Sequence, residues 1–205
     1  MQLFHTRPVG SAVFDEPNLV SAAGLVPLMA LARRAGLGKL ADRWLSVPTD
    51  KGANAGAKVC SLVAGMAAGA DSIDDMAVLR HGGMARVFGA AHAPSTLGSF
   101  LRAMTFGHVR QLDAVASRFL VALAADTKLL GAADATGPVM VDLDDTIVQV
   151  HGHQKQGAAF GYSGVRGINA ILATASTDNV APVVVAQRLR RQLRVTARGD
   201  PQLPA

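Results

Sequence analysis

One run, Val139-Met140-Val141-Asp142-Leu143-Asp144-Asp145-Thr146-Ile147-Val148-Gln149-Val150, constrains this chain more than any other stretch. It is rich in β-branched residues, whose stiff side chains suit the pleated surface of a strand better than the crowded turns of a helix. Apolar residues at 139, 141 and 143 alternate with acids at 142 and 144. Side chains change faces at every step along a strand, so Asp142 and Asp144 fall side by side. Neighbouring carboxylates repel, and the arrangement calls for a compensating cation, most simply a hard divalent metal bound through oxygen. A solvated strand face or an acidic turn is the plainer alternative. The flanking apolar residues predict burial and favour a site.

Before this run the chain reads as helical. Residues 1–18, with Pro8, Gly10 and Pro17, predict an extended arm with a short strand at 11–14. From 21 to 45, Leu25, Leu28, Met29, Leu31, Leu37, Leu40, Trp44 and Leu45 recur at three-to-four spacing, and Gly36 and Gly38 break the stretch into two helices. A loop at 47–52 precedes a small-residue helix at 53–69. Residues 71–76 look like a helix start, with Asp74 and Asp75 placed to satisfy free N–H groups of a first turn. Gly82-Gly83 marks a turn. Residues 93–102 repeat the capping pattern around Ser95, and a long amphipathic helix runs from about 107 to 125 through Val109, Leu112, Val115, Phe119 and Leu123.

After a linker at 130–138 the periodicity changes. Strands are predicted at 139–150, 168–176 and 181–186, joined by short polar loops and therefore antiparallel. The fold class is α+β, an all-helical N-terminal region followed by the start of an antiparallel sheet. The predicted organisation is an arm at 1–18, a helical domain at 19–130, a sheet domain at 138–190 and a basic tail at 191–205.

Charge narrows the function. The net charge of +5 invites a nucleic-acid partner. Through residue 186, however, 15 lysines and arginines face 14 acids, and the excess lies in Arg188, Arg190, Arg191, Arg194 and Arg198. The single cysteine, Cys60, excludes an internal disulfide and fits a reducing compartment as a small buried side chain. No apolar run is long enough to span a bilayer and no signal-type segment opens the chain, so a cytoplasmic protein without a membrane partner is expected. Glu16 is the sole glutamate.

Residues 139–146 match the Asp-x-Asp-x-Thr motif of haloacid-dehalogenase-like phosphatases, in which the first Asp is the nucleophile and Mg²⁺ sits between the two. That family also calls for a later lysine and acidic pair. Only Lys155, Asp178 and Asp200 follow. A second resemblance covers roughly residues 10–191. It rests on Asp71-Ser72-Ile73-Asp74-Asp75-Met76 with Leu79-Arg80-His81-Gly82-Gly83-Met84, on 93–102, on Phe106-Gly107-His108-Val109-Arg110-Gln111-Leu112, on Val141-Asp142-Leu143-Asp144-Asp145-Thr146 and on 157–173. In these blocks and their order the chain resembles bacterial insertion-sequence transposases of the DDE type, in the group whose type element is numbered thirteen-eighty.

The resemblance implies an RNase H-like catalytic core, here incomplete, that cleaves and joins DNA at the terminal inverted repeats of its element. It implies Mg²⁺ or Mn²⁺ held by two aspartates and a glutamate. Asp144 is the expected catalytic and metal-binding residue, with Asp142 second and Asp145 third. The second Asp and the Glu of the pattern are not among these residues, and beyond Arg191 the sequence leaves the family pattern as a truncated or frame-shifted product would. The expectation is a chain without catalytic activity of its own, or a DNA-end-binding regulator able to form homo-oligomers or to pair with a complete partner. Arg102, Arg110, Lys155 and Arg166 are the expected DNA contacts, with Arg118 spaced to share a face with the first two in a helix-turn-helix-like outline. His151 and His153 bracket Gly152 and form a weaker metal candidate, lacking a third ligand.

Overall fold

The computed structural model describes residues 16–88, 91–129, 131, 137–152, 155–161, 163–178 and 180–191. The arm at 1–15, the linker residues 132–136, His153 and the tail from 192 lie outside them. Six α-helices come first: α1 (Leu25–Arg34), α2 (Leu37–Trp44), α3 (Ala55–Ala67), α4 (Met84–Val87), α5 (Pro94–Arg102) and α6 (Phe106–Asp126). Four strands follow: β1 (Met140–Gln149), β2 (Ala159–Phe160), β3 (Arg166–Thr177) and β4 (Val180–Arg191). The α+β class is therefore observed. No described helix is long and apolar enough to cross a membrane.

Local chemistry accounts for most helix ends, with three departures from the sequence expectation. Gly36 separates α1 from α2 with φ of 81°, which an L side chain adopts only under strain, whereas Gly38 lies inside α2. Helix α5 begins at Pro94, whose missing N–H costs nothing in a first turn, so Ser95 is inside the helix and not its cap. Thr105 caps α6 reciprocally with His108: the Thr105 N–H donates to His108 Nδ1 at 2.9 Å, and the threonine side chain accepts from the His108 backbone. The expected helix start at 71–76 is a 3₁₀ segment, Asp74–Arg80. In its first turn Asp75 accepts from the hydroxyl of the preceding Ser72 at 2.5 Å and from the Ser72 N–H at 3.0 Å, and these bonds hold its carboxyl below the usual range.

The principal core belongs to the helices. Phe100, Leu79 and Met84 are fully buried there, with Leu25, Leu37, Val59 and Val115 around them, and Leu97 is fully buried in a smaller cluster with Ala70 and Met76. Helices α2 and α3 meet where Gly38 faces Gly56. The Gly56 N–H donates to Asp42 Oδ1 at 2.7 Å, and a Cβ on Gly56 would overlap the Gly38 carbonyl and the Asp42 carboxylate. Helix α6 packs on α2, where the Arg118 guanidinium lies 3.8 Å from the centre of the Trp44 ring. Lys58 is buried, its ammonium donating to the Lys51 carbonyl at 2.7 Å and lying over Phe100.

The sheet is antiparallel throughout the described strands. β1 pairs with β3 from Met140↔Ser176 to Gln149↔Gly167 without interruption, and β4 and the short β2 share the other edge of β3. The expected strand at 181–186 continues to Arg191, because Arg188, Leu189 and Arg190 keep pairing with β3 beyond the apolar stretch. Pro182 sits at an irregularity in the ladder between Ala175 and Thr177, where a residue without an N–H is tolerated. The sheet buries little: Ala170 and Ala175 are its buried apolar side chains among the described residues, and it packs against the helices chiefly through β4 on α6.

Two outcomes are expected. Gly56→Ala should destabilise the helical half by about 1–3 kcal/mol, the usual cost of overpacking, read as a lower denaturant midpoint by circular dichroism; an unchanged midpoint would show that the α2–α3 contact is not tight. His92, held on Ser61 by contacts of 3.4 Å, has its pKa lowered from 6.5, first by burial and then by Lys58. A depressed folded-state pKa means that the unfolded chain binds the proton first. The stability of the neutral ring is present above pH 6.5 and is lost as pH falls through the folded value. The midpoint should drop between pH 7 and pH 5 in the parent. In His92→Gln the fall should be smaller.

Candidate functional site

β1 forms where the sequence predicts a strand, but in a different environment. It pairs with β3, and its other edge is unpaired among the described residues. Every position from Met140 to Gln149 is exposed except half-buried Ile147, and Leu143 is 76% exposed. The expectation of burial is overturned. Alternating apolar residues mark a face that can be covered, and in this structure no helix covers it.

The strand divides its three acids. Asp142 and Asp144 share one face, across from Thr174 and Leu172 of β3. Asp144 Oδ2 accepts from the Thr146 hydroxyl at 3.2 Å. Asp145 is on the opposite face, where its Oδ2 accepts from Asn169 Nδ2 at 2.9 Å. Asn169 Oδ1 is buried and meets no donor among the described residues, an arrangement that costs about 1–3 kcal/mol. The ladder sets Arg190 opposite Asn169 and Arg188 opposite Ile171, so one sheet face carries Asp145, Asn169 and two arginines in neighbouring rows. Sequence reasoning missed Asn169; its signal was a lone amide within Ile168-Asn169-Ala170-Ile171.

Magnesium takes near-octahedral oxygen ligation, often from one or two carboxylates completed by water and phosphate. Asp142 and Asp144 could serve as such a minimal pair. They do not make a two-metal centre: Asp145 faces away, and among the described residues no group of three His, Cys, Asp or Glu is placed to hold a metal. His151 is exposed after β1, and His153 lies outside the described residues.

The four expected DNA contacts are scattered. Arg102 ends α5, exposed, with Nη2 3.4 Å from the Ser99 hydroxyl. Arg110 lies on α6 in a 3.1 Å ion pair with Asp113. The eight-residue recurrence of Arg102, Arg110 and Arg118 crosses the helix break at 103–105, so the three do not line one helix face. Arg118 is engaged on Trp44 and donates to the Ala114 carbonyl at 3.0 Å. Helices α5 and α6 also pack on different partners, α5 on α3 and on the 3₁₀ segments Asp50–Gly52 and Asp74–Arg80, α6 on α2 and β4. Lys155 is exposed in the turn after β1. Arg166 donates from Nη1 to the Gly152 carbonyl at 2.5 Å and contacts that of Val150, closing the loop between β1 and β3. A cleft of about 610 Å³ between α6 and β4 brings Arg110 and Arg188 to one opening.

Comparison of the chain with protein-family models, with curated proteins and with solved structures finds no match.

An exposed edge strand invites pairing with another chain, and charges along it suppress that pairing. Replacing Asp142, Asp144 and Asp145 together by asparagine should therefore raise self-association, seen as a larger species in sedimentation velocity. A triple variant as monodisperse as the parent would show that the acids do not guard the edge.

Proposed function

We propose that this chain is a DNA-binding protein of the DDE-transposase kind, which engages the ends of its element but does not cleave them by itself. The observation that carries the reading is the pairing of Asp142 and Asp144 on one exposed face of the first strand of an antiparallel β1–β3–β4 sheet that follows a helical domain. That order agrees with the start of an RNase H-like core. The antiparallel ladder argues against the phosphatase alternative, which needs parallel strands joined by a crossover helix.

The same geometry favours binding over catalysis. In-line phosphoryl transfer of this type uses two metals clamped by three carboxylates, and the described residues contribute a pair. Asp144 and Asp142 are the residues through which Mg²⁺ or Mn²⁺ would be held. Arg110 at the α6–β4 cleft and Arg102 and Lys155 on exposed surfaces are the proposed phosphate contacts, with Arg166 supporting the loop after β1. In this reading Arg166 acts by shaping the loop that presents Lys155.

The test is fluorescence anisotropy with duplexes taken from the DNA flanking the chain's own gene, against scrambled duplexes. Binding should prefer the flanking DNA and weaken steeply with salt, and neutralising Arg102, Arg110 and Lys155 together should lower the log–log salt slope by about one per lost phosphate contact. Incubation with Mg²⁺ or Mn²⁺ should leave the DNA intact. Cleavage by the purified chain would overturn the non-catalytic reading, and equal affinity for scrambled DNA would overturn end recognition.

A further inference from the structure

The helical half contains a second feature unrelated to DNA. A cleft of about 380 Å³ opens between α1, α2 and α3, with Leu79 beneath. This lies within the roughly 300–1,000 Å³ range of small-molecule sites. Its interior is apolar, formed by Met29, Ala64, Leu79 and the half-buried Cys60. Arg33, Lys39 and Asp42 also line it. Asp42 is already engaged by the Gly56 amide at 2.7 Å. Arg33 and Lys39 make no ion pair among the described residues, although the adjacent Arg34 reaches Asp126 at 3.5 Å.

Two cations and one carboxylate leave a single uncompensated positive charge beside an apolar interior. A bound cation would be repelled, and a neutral apolar molecule would leave that charge unmatched. We propose that this cleft binds a small aliphatic monocarboxylate, its headgroup on Arg33 and Lys39 and its hydrocarbon against Met29, Ala64 and Leu79, beside the Cys60 sulfur. At about 30 Å³ per water the space equals about a dozen water molecules, room for a medium-length chain. The charge is matched once, so a monoanion fits better than a dianion.

Cys60 is the only thiol in the chain and lines the cleft, so it reports occupancy directly. Burial, then Asp42, pushes its pKa up, which keeps it a slowly reacting thiol at neutral pH. The experiment measures alkylation of Cys60 by iodoacetamide in the full chain with millimolar octanoate, octylammonium or octanol, alongside calorimetric titration of octanoate. Octanoate should slow alkylation about fivefold or more, the effect of roughly one matched charge, and octylammonium should have little effect. Arg33→Gln with Lys39→Gln should abolish the protection and the binding heat while leaving the helical circular dichroism unchanged, since both side chains are exposed and without ion partners. If the double variant loses structure, Arg33→Gln alone should still reduce the protection by half. Equal protection by octanoate and octylammonium, no protection by octanoate, or full protection in the folded variants would each overturn the proposal. None of these results depends on DNA binding.

Discussion

The helical half depends on one close contact, the approach of α2 to α3 at Gly38 and Gly56. Side chains normally hold two helices 8–10 Å apart. Here a glycine on each helix removes that spacer, and the Asp42 carboxylate fastens α3 through the Gly56 N–H. With that crossing set, Val59 and Leu37 join the core on one side while Cys60 and Ala64 are left lining the cleft. Helix α6 is tied to the same unit through α2, by Arg118 stacked on Trp44. Lys58 illustrates the tightness of the core: its charge is buried only because a carbonyl and an aromatic face receive it.

The sheet is built on the opposite economy. Its strands satisfy their backbone groups through the ladder but bury few side chains, since α6 meets β4 and β1 stays exposed along almost its whole length. An open ladder of this kind draws its stability from hydrogen bonds and cross-strand pairs rather than from a core. The acids of β1 acquire a second meaning there. A carboxylate on a solvated edge costs little, and it repels the approach of another edge. Metal binding and edge protection are compatible roles, because both need Asp142 and Asp144 outward and unpaired with cations.

The two halves divide the proposed function accordingly. A compact helical unit can hold arginines at its surface without depending on the sheet, and the sheet can offer carboxylates without a complete metal centre. Cationic side chains in the structure are often already employed: Arg110 on Asp113, Arg118 on Trp44, Arg166 on the Gly152 carbonyl. Binding to phosphate would have to compete with those contacts, which favours modest, salt-sensitive affinity. The cleft beside Cys60 stands apart because Arg33 and Lys39 make no ion pair among the described residues.

Much of this was legible in the residues. The period-two alternation of 139–150 determined both the strand and the shared face of Asp142 and Asp144, since the direction of a side chain along a strand depends only on its parity. The three-to-four spacing of Leu25 and Met29, and of Val109, Leu112 and Val115, likewise located helices, and short polar connections made the strands antiparallel. The split of Asp145 from its neighbours also follows from parity, but its engagement does not, because Asn169 is distant in sequence and arrives only through the β1–β3 register. The same is true of burial. Val141 and Leu143 look like core residues in sequence and stand in solvent in the structure, because burial is decided by whichever element packs on top. Sequence by itself determined the local periodicities and the chemistry displayed on them. Tertiary structure alone decided which faces were covered, which cations were engaged and where an apolar cleft remained, because each of those is a contact between residues that the chain brings together only on folding.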